Sequence, residues 1–260
     1  MHLRPLKRFG QNFLQDQHII ARIASICPLA GRAVLEIGPG RGALTRALLA
    51  RGATVVAFEI DRGLSQRLSN EFAQNQQCTI INQDFLKACL TNYQGFSIIA
   101  NVPYNITSAI LFKILAHQGQ LNDVILMVQR EVAQRLSARC GSRDYGKLSV
   151  TMSLFYKITR CFDVPPQAFY PVPQVTSSVV HLQPQKAPVA AQDITALLNF
   201  IKNCFAMKRK TLQNNLRARG LTMAAFSRFC AQENLAPDIR PQHLSPEQYI
   251  RLFQIYRISL

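Results

Sequence analysis

The feature that most constrains the fold is a regular alternation of two hydrophobic patterns between residues 33 and 128. Short β-rich runs alternate with segments whose apolar residues lie three and four positions apart, as Leu64, Leu68 and Phe72 do. The β-rich runs are residues 33–37, 54–59, 78–82, 96–100 and 123–128. Strands that alternate with helices indicate a parallel sheet with right-handed crossovers. We therefore predict a doubly wound α/β domain.

A different pattern begins near Pro165, where prolines interrupt regular structure on both sides of a β-like run at residues 177–182. Asp193 then stands where it could cap the first of several helical segments. These segments cover residues 193–206, 210–217, 223–232 and 246–256. With a linker at residues 183–192, the predicted organisation is an α/β domain over residues 1–184 and a small helical domain over residues 185–260.

The charge balance indicates an anionic partner. The chain has 30 Lys and Arg residues against 14 acidic residues, which gives a formal net charge of +16. Such an excess repels itself within a compact fold, so it favours a strongly anionic partner, with nucleic acid first and an acidic membrane surface second. The segment from Lys186 to Leu260 holds 11 basic and 4 acidic residues. We therefore expect the helical domain to take part in this contact.

Composition also excludes several classes of protein. The longest apolar stretches are far shorter than the ~20 residues of a membrane span, and no apolar signal segment follows the basic first residues. The seven cysteines are scattered, which fits neither a disulfide framework nor a zinc cluster, and the five histidines do not cluster. We expect a cytoplasmic monomer with reduced thiols, no metal and no membrane association.

Three features follow three successive predicted strands. Residues 36–42 (EIGPGRG) form a turn in which Gly38 and Gly40 let the backbone approach a ligand closely. Glu59 ends the second strand, where a carboxylate can accept both ribose hydroxyls of an adenosine, and Asp84 follows the third, where it can accept an adenine amine. Taken singly, the glycine turn is also explained as a tight turn without a ligand, and the two acidic residues are also explained as surface acids at strand ends. Together they resemble the S-adenosylmethionine site of a Rossmann-like methyltransferase.

The fourth predicted strand runs directly into residues 101–105 (NVPYN). Adenine N6 is a poor nucleophile because its lone pair is delocalised into the ring. A site can help by accepting both N6 hydrogens, one at the Asn101 side-chain oxygen and one at the Val102 carbonyl, on a turn stiffened by Pro103. Tyr104 can stack on the base, and Phe169 can cover its other face. The simpler alternative is a proline turn with a locally bonded Asn and a core Tyr.

The sequence resembles the ribosomal small-subunit adenine dimethyltransferases over most of its length. The motifs that carry the resemblance are residues 7–14 (KRFGQNFL), 36–42, 101–105, 144–150 (DYGKLSV), 164–166 (VPP) with Phe169, 177–180 (SSVV) and 208–212 (KRKTL). The family implies N6 dimethylation of two adjacent adenosines in the 3′-terminal hairpin loop of small-subunit ribosomal RNA. It also implies S-adenosylmethionine as the donor and a role in small-subunit biogenesis.

The resemblance further implies which residues form the site. The residues that line the cofactor site would be Asn12, Leu14, Gly38, Glu59, Asp84 and Asn101. Tyr104 and Phe169 would hold the target base. The chain departs from the family at Val102, where Leu is commoner, which leaves the backbone carbonyl in place. It also departs at Gln174 and Thr176, where a frequent Lys and Asp are replaced, so local contacts there are in doubt.

Basic residues at both ends of the chain are candidates for phosphate contacts. They are Lys7, Arg8, Lys208, Arg209, Lys210 and Arg217. Any one of these residues taken alone is explained as a solvated surface charge. As a set they favour a phosphate contact, because residues 208–210 form a basic run within an already basic domain.

Three other functions are alternatives to the dimethyltransferase activity that the resemblance implies. One is an adenine methyltransferase acting on large-subunit RNA or on DNA, and a second is a non-enzymatic RNA-binding assembly factor that kept the methyltransferase fold. A nicotinamide oxidoreductase is disfavoured by the short glycine spacing.

Overall fold

The computed structural model of the chain describes residues 11–207, 209–217, 220 and 222–258. These residues form two compact units. The first contains the described residues up to Ala133 together with Lys157–Pro184, and the second contains Gln134–Tyr156 and the described residues from Gln185 onward. No helix in the described part of the chain is long and apolar enough to cross a membrane.

The first unit is built on a seven-stranded sheet in the order β4-β3-β2-β5-β6-β9-β7. The strands in chain order are β1 Phe13–Leu14, β2 Ala33–Ile37, β3 Thr54–Glu59, β4 Cys78–Asn82, β5 Ser97–Asn101, β6 Val124–Gln129, β7 Tyr156–Val164, β8 Phe169–Tyr170 and β9 Ser177–Pro184. Strands β2 to β6 pair in parallel with their neighbours, whereas β9 pairs antiparallel with β6. Strands β1 and β8 form a separate two-stranded antiparallel ladder.

Helices connect the parallel strands, as the alternating pattern predicts. The helices of this part of the chain are α1 Gln17–Ala24, α2 Ala43–Ala50, α3 Arg62–Glu71, α4 Thr107–Ala116 and α5 Arg130–Leu136. Asp16 and Asp61 cap α1 and α3, since each side chain accepts hydrogen bonds from backbone N–H groups of the first turn. The central strands β2, β5 and β6 are almost entirely buried, as expected of strands covered by helices on both faces.

Three features of this unit differ from the sequence analysis. The predicted fourth and fifth strands begin one residue later in the structure, at Ser97 and Val124. Strand β7 was not predicted, because its side chains alternate irregularly between buried and exposed and mix apolar with charged residues. The predicted β-like run at 177–182 extends to Pro184 and becomes the antiparallel strand β9.

The second unit is helical. Its helices are α6 Lys147–Ser153, α7 Ile194–Cys204, α8 Leu212–Arg217, α9 Met223–Glu233 and α10 Pro246–Ile258. Residues 134–156, which the sequence analysis assigns to the first domain, belong to this unit because α6 packs against α7 and α10. Phe200 packs against Phe253 with ring centroids 5.6 Å apart. Asp193 occupies the N-cap position of α7 but makes no capping bond, and its carboxylate pairs instead with Arg257 at 2.6 Å.

Candidate active site

A cavity of the first unit lies where strands β2, β3 and β5 end. Its lining residues come from four segments: 11–14, 36–44, 59–60 and 101–104. The cavity measures about 90 Å³ and is partly open to solvent. This is the sheet edge at which open α/β sheets bind ligands.

The glycine turn shapes one wall of the cavity. Gly38 has a φ of +64°, and a side chain added to it would meet no described atom within 4 Å, so a ligand can approach its backbone. Gly40 has a φ of +59°, and a Cβ there would lie 2.8 Å from a ring carbon of Phe13. The turn therefore leaves space for a ligand at Gly38 and space for a neighbouring ring at Gly40.

Glu59 is held rigidly at the end of β3, with 4% of its surface exposed. Its Oε2 accepts a hydrogen bond from the Gly40 N–H at 3.0 Å, and its Oε1 accepts one from the Asp61 N–H at 2.9 Å. A carboxylate offers about four acceptor sites, so each oxygen keeps capacity for a ligand hydroxyl. Burial raises the pKa of this carboxyl, and the two backbone hydrogen bonds oppose that effect. The arrangement fits two adjacent ribose hydroxyls.

A second buried carboxyl, Glu36, lies at the opposite side of the turn and lines the same cavity. The Thr45 hydroxyl donates a hydrogen bond to its Oε2 at 2.6 Å. Burial raises the pKa of Glu36 to about 8, and the nearby charge of Glu59 acts in the same direction. Folded Glu36 is therefore a neutral acid at pH values at which an exposed Glu is ionised.

We expect Glu36→Gln to weaken the pH dependence of the free energy of unfolding between pH 4.5 and about 8. Within this window the folded protein keeps the Glu36 proton and the unfolded chain has lost it, so the wild-type protein loses stability as the pH rises. Gln carries no proton to lose, and it can still accept from Thr45. Denaturant titrations at the two ends of the window measure the effect. The surface variant Glu71→Gln is the control, and a wild-type slope in Glu36→Gln would contradict the assignment.

Asn101 ends β5 and has its side-chain orientation fixed by the backbone of another segment. Its Nδ2 donates to the Asn12 carbonyl oxygen at 3.0 Å. With the amide nitrogen used in this way, Oδ1 is the side-chain atom that can accept a hydrogen from a ligand amino group. The Val102 N–H donates to Met127 on the adjacent strand at 3.2 Å. The Asn101 side chain is thus oriented by the segment that contains Asn12, and the backbone that follows it is held by β6.

Tyr104 follows in a single 3₁₀ turn at Tyr104–Ile106 and lines the cavity. Its hydroxyl lies 2.6 Å from the Ser177 hydroxyl at the start of β9. Burial raises the pKa of the phenol, and the Ser177 hydrogen bond opposes that effect. The Thr107 hydroxyl also donates to the Pro103 carbonyl at 3.2 Å, which ties the turn to α4. The ring is therefore held at its hydroxyl, and the turn that carries it is tied to α4.

The structure brings most of the predicted site residues together. The predicted residues that line the cavity are Asn12, Leu14, Gly38, Gly40, Glu59, Asn101 and Tyr104. Asp84 lies outside this lining, and its carboxylate accepts from the Leu86 N–H at 2.9 Å to cap a short turn.

Phe169 also lies outside the lining, since its side chain is 2% exposed and packs in the core with Leu14 and Val164. The β1–β8 ladder pairs Phe169 with Leu14, which directs it inward. The contact of Phe169 with the target base stays a prediction. The next residue, Tyr170, is exposed.

The sequence analysis missed one cluster of the site. The Arg41 guanidinium lies 4.7 Å from the Phe13 ring centroid and 5.5 Å from that of Tyr170. Both Arg41 and Phe13 line the cavity. The cluster depends on a ladder between two-residue strands, which no periodic pattern reveals.

The predicted phosphate-contact residues fall into two groups. Arg209, Lys210 and Arg217 are exposed on the second unit. Lys7, Arg8 and Lys208 lie outside the described residues. Among the described residues, no group of three or more His, Cys, Asp and Glu side chains is placed to hold a metal ion.

Comparison with known proteins identifies the family. The family model for ribosomal RNA adenine dimethylases matches residues 4–257. The ribosomal RNA small subunit methyltransferase A of Hahella chejuensis is 39% identical over 95% of this chain and 90% of its own length. The protein of the same name from Mycoplasma mobile is 40% identical over 95% of this chain and 96% of its own length.

Solved structures agree with this result. The 23S rRNA methyltransferase ErmE is 28% identical, with a TM-score of 0.76 over 95% of this chain and all of that one. A dimethyladenosine transferase from Plasmodium falciparum shares the fold, with a TM-score of 0.77 at 23% identity over 95% of this chain and 98% of its own. The predicted Rossmann-like methyltransferase fold is thus confirmed. The chain belongs to the ribosomal RNA adenine dimethylase family, whose members are adenine methyltransferases that use S-adenosylmethionine.

Proposed function

We propose that this protein dimethylates N6 of two adjacent adenosines in the 3′-terminal hairpin loop of small-subunit ribosomal RNA, and that it acts in small-subunit biogenesis. The observation that carries the proposal is the orientation of Asn101. Its Nδ2 is committed to the Asn12 carbonyl, so its Oδ1 is left to accept a hydrogen bond from an amino group. The two relatives named for the small subunit support that subunit as the substrate.

The residues of the cavity fit the methyl donor. Glu59 would hold the ribose, and the open backbone at Gly38 would lie against the donor. The predicted contact of Asp84 with the adenine amine stays part of the proposal, although Asp84 is not among the residues that line the cavity. When bound, S-adenosylmethionine supplies a methyl group on a positively charged sulfur.

The chain's own residues would activate the acceptor by positioning it. Asn101 Oδ1 and the Val102 carbonyl accept the two N6 hydrogens, which favours a pyramidal nitrogen with its lone pair directed toward the methyl group. Tyr104 provides a ring on which the base can stack, and its hydroxyl bond to Ser177 fixes that ring. The base must leave its own stack to reach this site, which suits an unpaired hairpin loop.

A large-subunit RNA substrate is the second candidate, because the 23S rRNA methyltransferase ErmE matches nearly the whole chain. The higher identity to proteins named for the small subunit favours the first candidate. A purely RNA-binding assembly factor would have no use for the arrangement of Glu59 and Asn101. All seven cysteines are free thiols, which supports our proposal that the protein works in the cytoplasm, and we propose that it does so as a monomer.

The test is radiolabelled methyl transfer to small ribosomal subunits purified from cells that lack the modification. We expect label in two adjacent adenosines of the 3′-terminal hairpin, with two methyl groups on each at completion. Large subunits from the same cells are the control. Label confined to large subunits would favour the second candidate, and no label in either subunit would contradict both.

A further inference from the structure

The short turn that follows Asp84 is held by a lysine of helix α4. The turn is a 3₁₀ segment, Phe85–Lys87, and Asp84 is its N-cap. The Lys113 Nζ donates to the Leu86 carbonyl at 3.0 Å and to the Ala88 carbonyl at 2.6 Å. The last carbonyls of a helical turn have no partner within the turn, so the ammonium group satisfies acceptors that would otherwise need water. One side chain therefore holds the end of the turn.

The inner side of the same turn packs against strand β3. Phe85 is buried, and its ring meets the ring of Phe58 edge to face with centroids 5.7 Å apart. The Lys113 ammonium group lies 5.6 Å from the Phe85 ring centroid, within the range of a cation–π contact. Phe58 directly precedes Glu59, the proposed ribose ligand. The turn is thus placed against the strand that presents Glu59.

Asp84 takes its orientation from the turn that Lys113 holds. Its Oδ1 accepts from the Leu86 N–H at 2.9 Å, and its backbone carbonyl accepts from the Lys87 N–H at 2.9 Å. Leu86 is therefore bonded to Asp84 through its N–H and to Lys113 through its carbonyl. A carboxylate that is engaged at one oxygen has a second oxygen that can accept from an amino group. Movement of the turn would displace this acceptor.

Helix α4 connects this turn to the one that carries residues 101–104. Thr107, the first residue of α4, donates through its hydroxyl to the Pro103 carbonyl at 3.2 Å. Lys113 follows six residues later, which is about 9 Å along the helix axis. One helix therefore holds the turn that carries the proposed acceptor for the target base at one end, and the turn of Asp84 further along.

We propose that Lys113 is a positioning residue for the methyl donor, and that by holding the turn of Asp84 it gives the donor site its selectivity for the amino group of adenine. A base that carries an oxo group in place of this amine offers no hydrogen to the Asp84 carboxylate, so a site arranged to accept that hydrogen rejects it. The inference rests on the proposed function for the contact between Asp84 and the donor. It assigns a role to a residue outside the lining of the candidate cavity.

The test compares binding of S-adenosylhomocysteine and S-inosylhomocysteine to the full chain by isothermal titration. The second compound carries an oxo group where adenine has its amine, and we expect the wild type to bind it at least ~10-fold more weakly. Lys113→Met keeps the aliphatic length but removes the donors, so the two dissociation constants should come within about 3-fold of each other. Lys113→Arg, which can still donate to two carbonyls, should keep most of the preference. Lys87→Met is the matched control, since Lys87 is an exposed lysine of the same turn, and it should behave like the wild type.

A general loss of stability makes a different prediction, because both compounds would then bind more weakly by the same factor. A wild-type ratio of the two dissociation constants in Lys113→Met would overturn the inference, as would an equal loss of preference in Lys87→Met. Asp84→Ala is the reference for loss of the contact, and a wild-type ratio in that variant would overturn the inference together with the contact itself. If the ratios change as expected but no adenosine of small subunits is methylated, the proposed function fails and the role of Lys113 stands.

A measurement on the unaltered protein provides a second test that does not depend on the folding of a variant. Bound S-adenosylhomocysteine should slow the acetylation of Lys113 by a small reagent, because a donor held by Asp84 keeps the turn and its two carbonyls in place. Acetylation of Lys87 should keep its rate. Mass spectrometry of the digested protein reports each site. An unchanged rate at Lys113, or equal slowing at both lysines, would contradict the assignment.

Discussion

Replacing Asn101 with alanine should slow single-turnover methyl transfer by at least ~100-fold, the scale of removing one oriented hydrogen-bond partner from a transition state. The side chain is aimed by its own Nδ2, which donates to the Asn12 carbonyl at 3.0 Å. Alanine removes the acceptor for an N6 hydrogen, together with the hydrogen bond to Asn12. RNA affinity should stay close to that of the wild type.

The variant Asn101→Asp tests whether the orientation of the accepting oxygen matters as well as its presence. Aspartate keeps an oxygen that can accept, but it places a second oxygen against the Asn12 carbonyl, where no hydrogen is available. We expect this variant also to lose at least ~10-fold in rate, because its side chain must rotate away from Asn12. Asn70→Ala, on the exposed face of α3, is the control for general effects. Wild-type turnover by Asn101→Ala would refute the role assigned to this residue.

Glu59→Gln should raise the dissociation constant for S-adenosylmethionine by about 10- to 100-fold. Hydrogen bonds to a charged partner contribute about 1.5–3 kcal/mol, and the buried carboxylate is engaged by the N–H groups of Gly40 and Asp61. A carboxamide has only one oxygen, so its NH₂ must face one of those two donors. The substitution therefore disturbs the turn and removes an acceptor for the ribose at once. Isothermal titration with the donor measures the change.

A purely structural role for Glu59 makes a different prediction. In that case Glu59→Gln would lower the free energy of unfolding, and the protein that remains folded would bind the donor normally. Glu71→Gln, which alters a surface carboxylate paired with Arg46, should change neither quantity by much. Normal donor affinity in folded Glu59→Gln would contradict ribose binding at this position.

Local pattern was enough to predict the strands that position the site. Strands β2, β3 and β4 begin and end at the predicted residues, because each is a short run of β-branched and apolar side chains bounded by turn residues. The rule that parallel strands present their carboxyl ends at one edge then brings Gly38, Glu59 and Asn101 together. Knowledge of the residue types at those three positions was sufficient to predict the location of the cavity.

The remainder depends on contacts between segments that are distant in the chain. Phe169 was predicted to cover the base, whereas pairing with Leu14 directs it into the core. Helix α6 has only seven residues, too few for its periodicity to show that it packs with α7 and α10. Asp193 has the residue type and position of a cap, but Arg257 competes for its carboxylate. None of these outcomes is encoded within one window of sequence.

The ladder between β1 and β8 also has a consequence for synthesis. One wall of the candidate cavity, at Phe13 and Leu14, is held by residues that are translated near the end of the first unit. A nascent chain that has released β2 to β5 already carries the glycine turn, Glu59 and Asn101, but it lacks the partner that closes this wall. Completion of this cavity wall must therefore await emergence of residues 169–170 from the exit tunnel, so an unfinished polypeptide lacks the strand pairing that holds it.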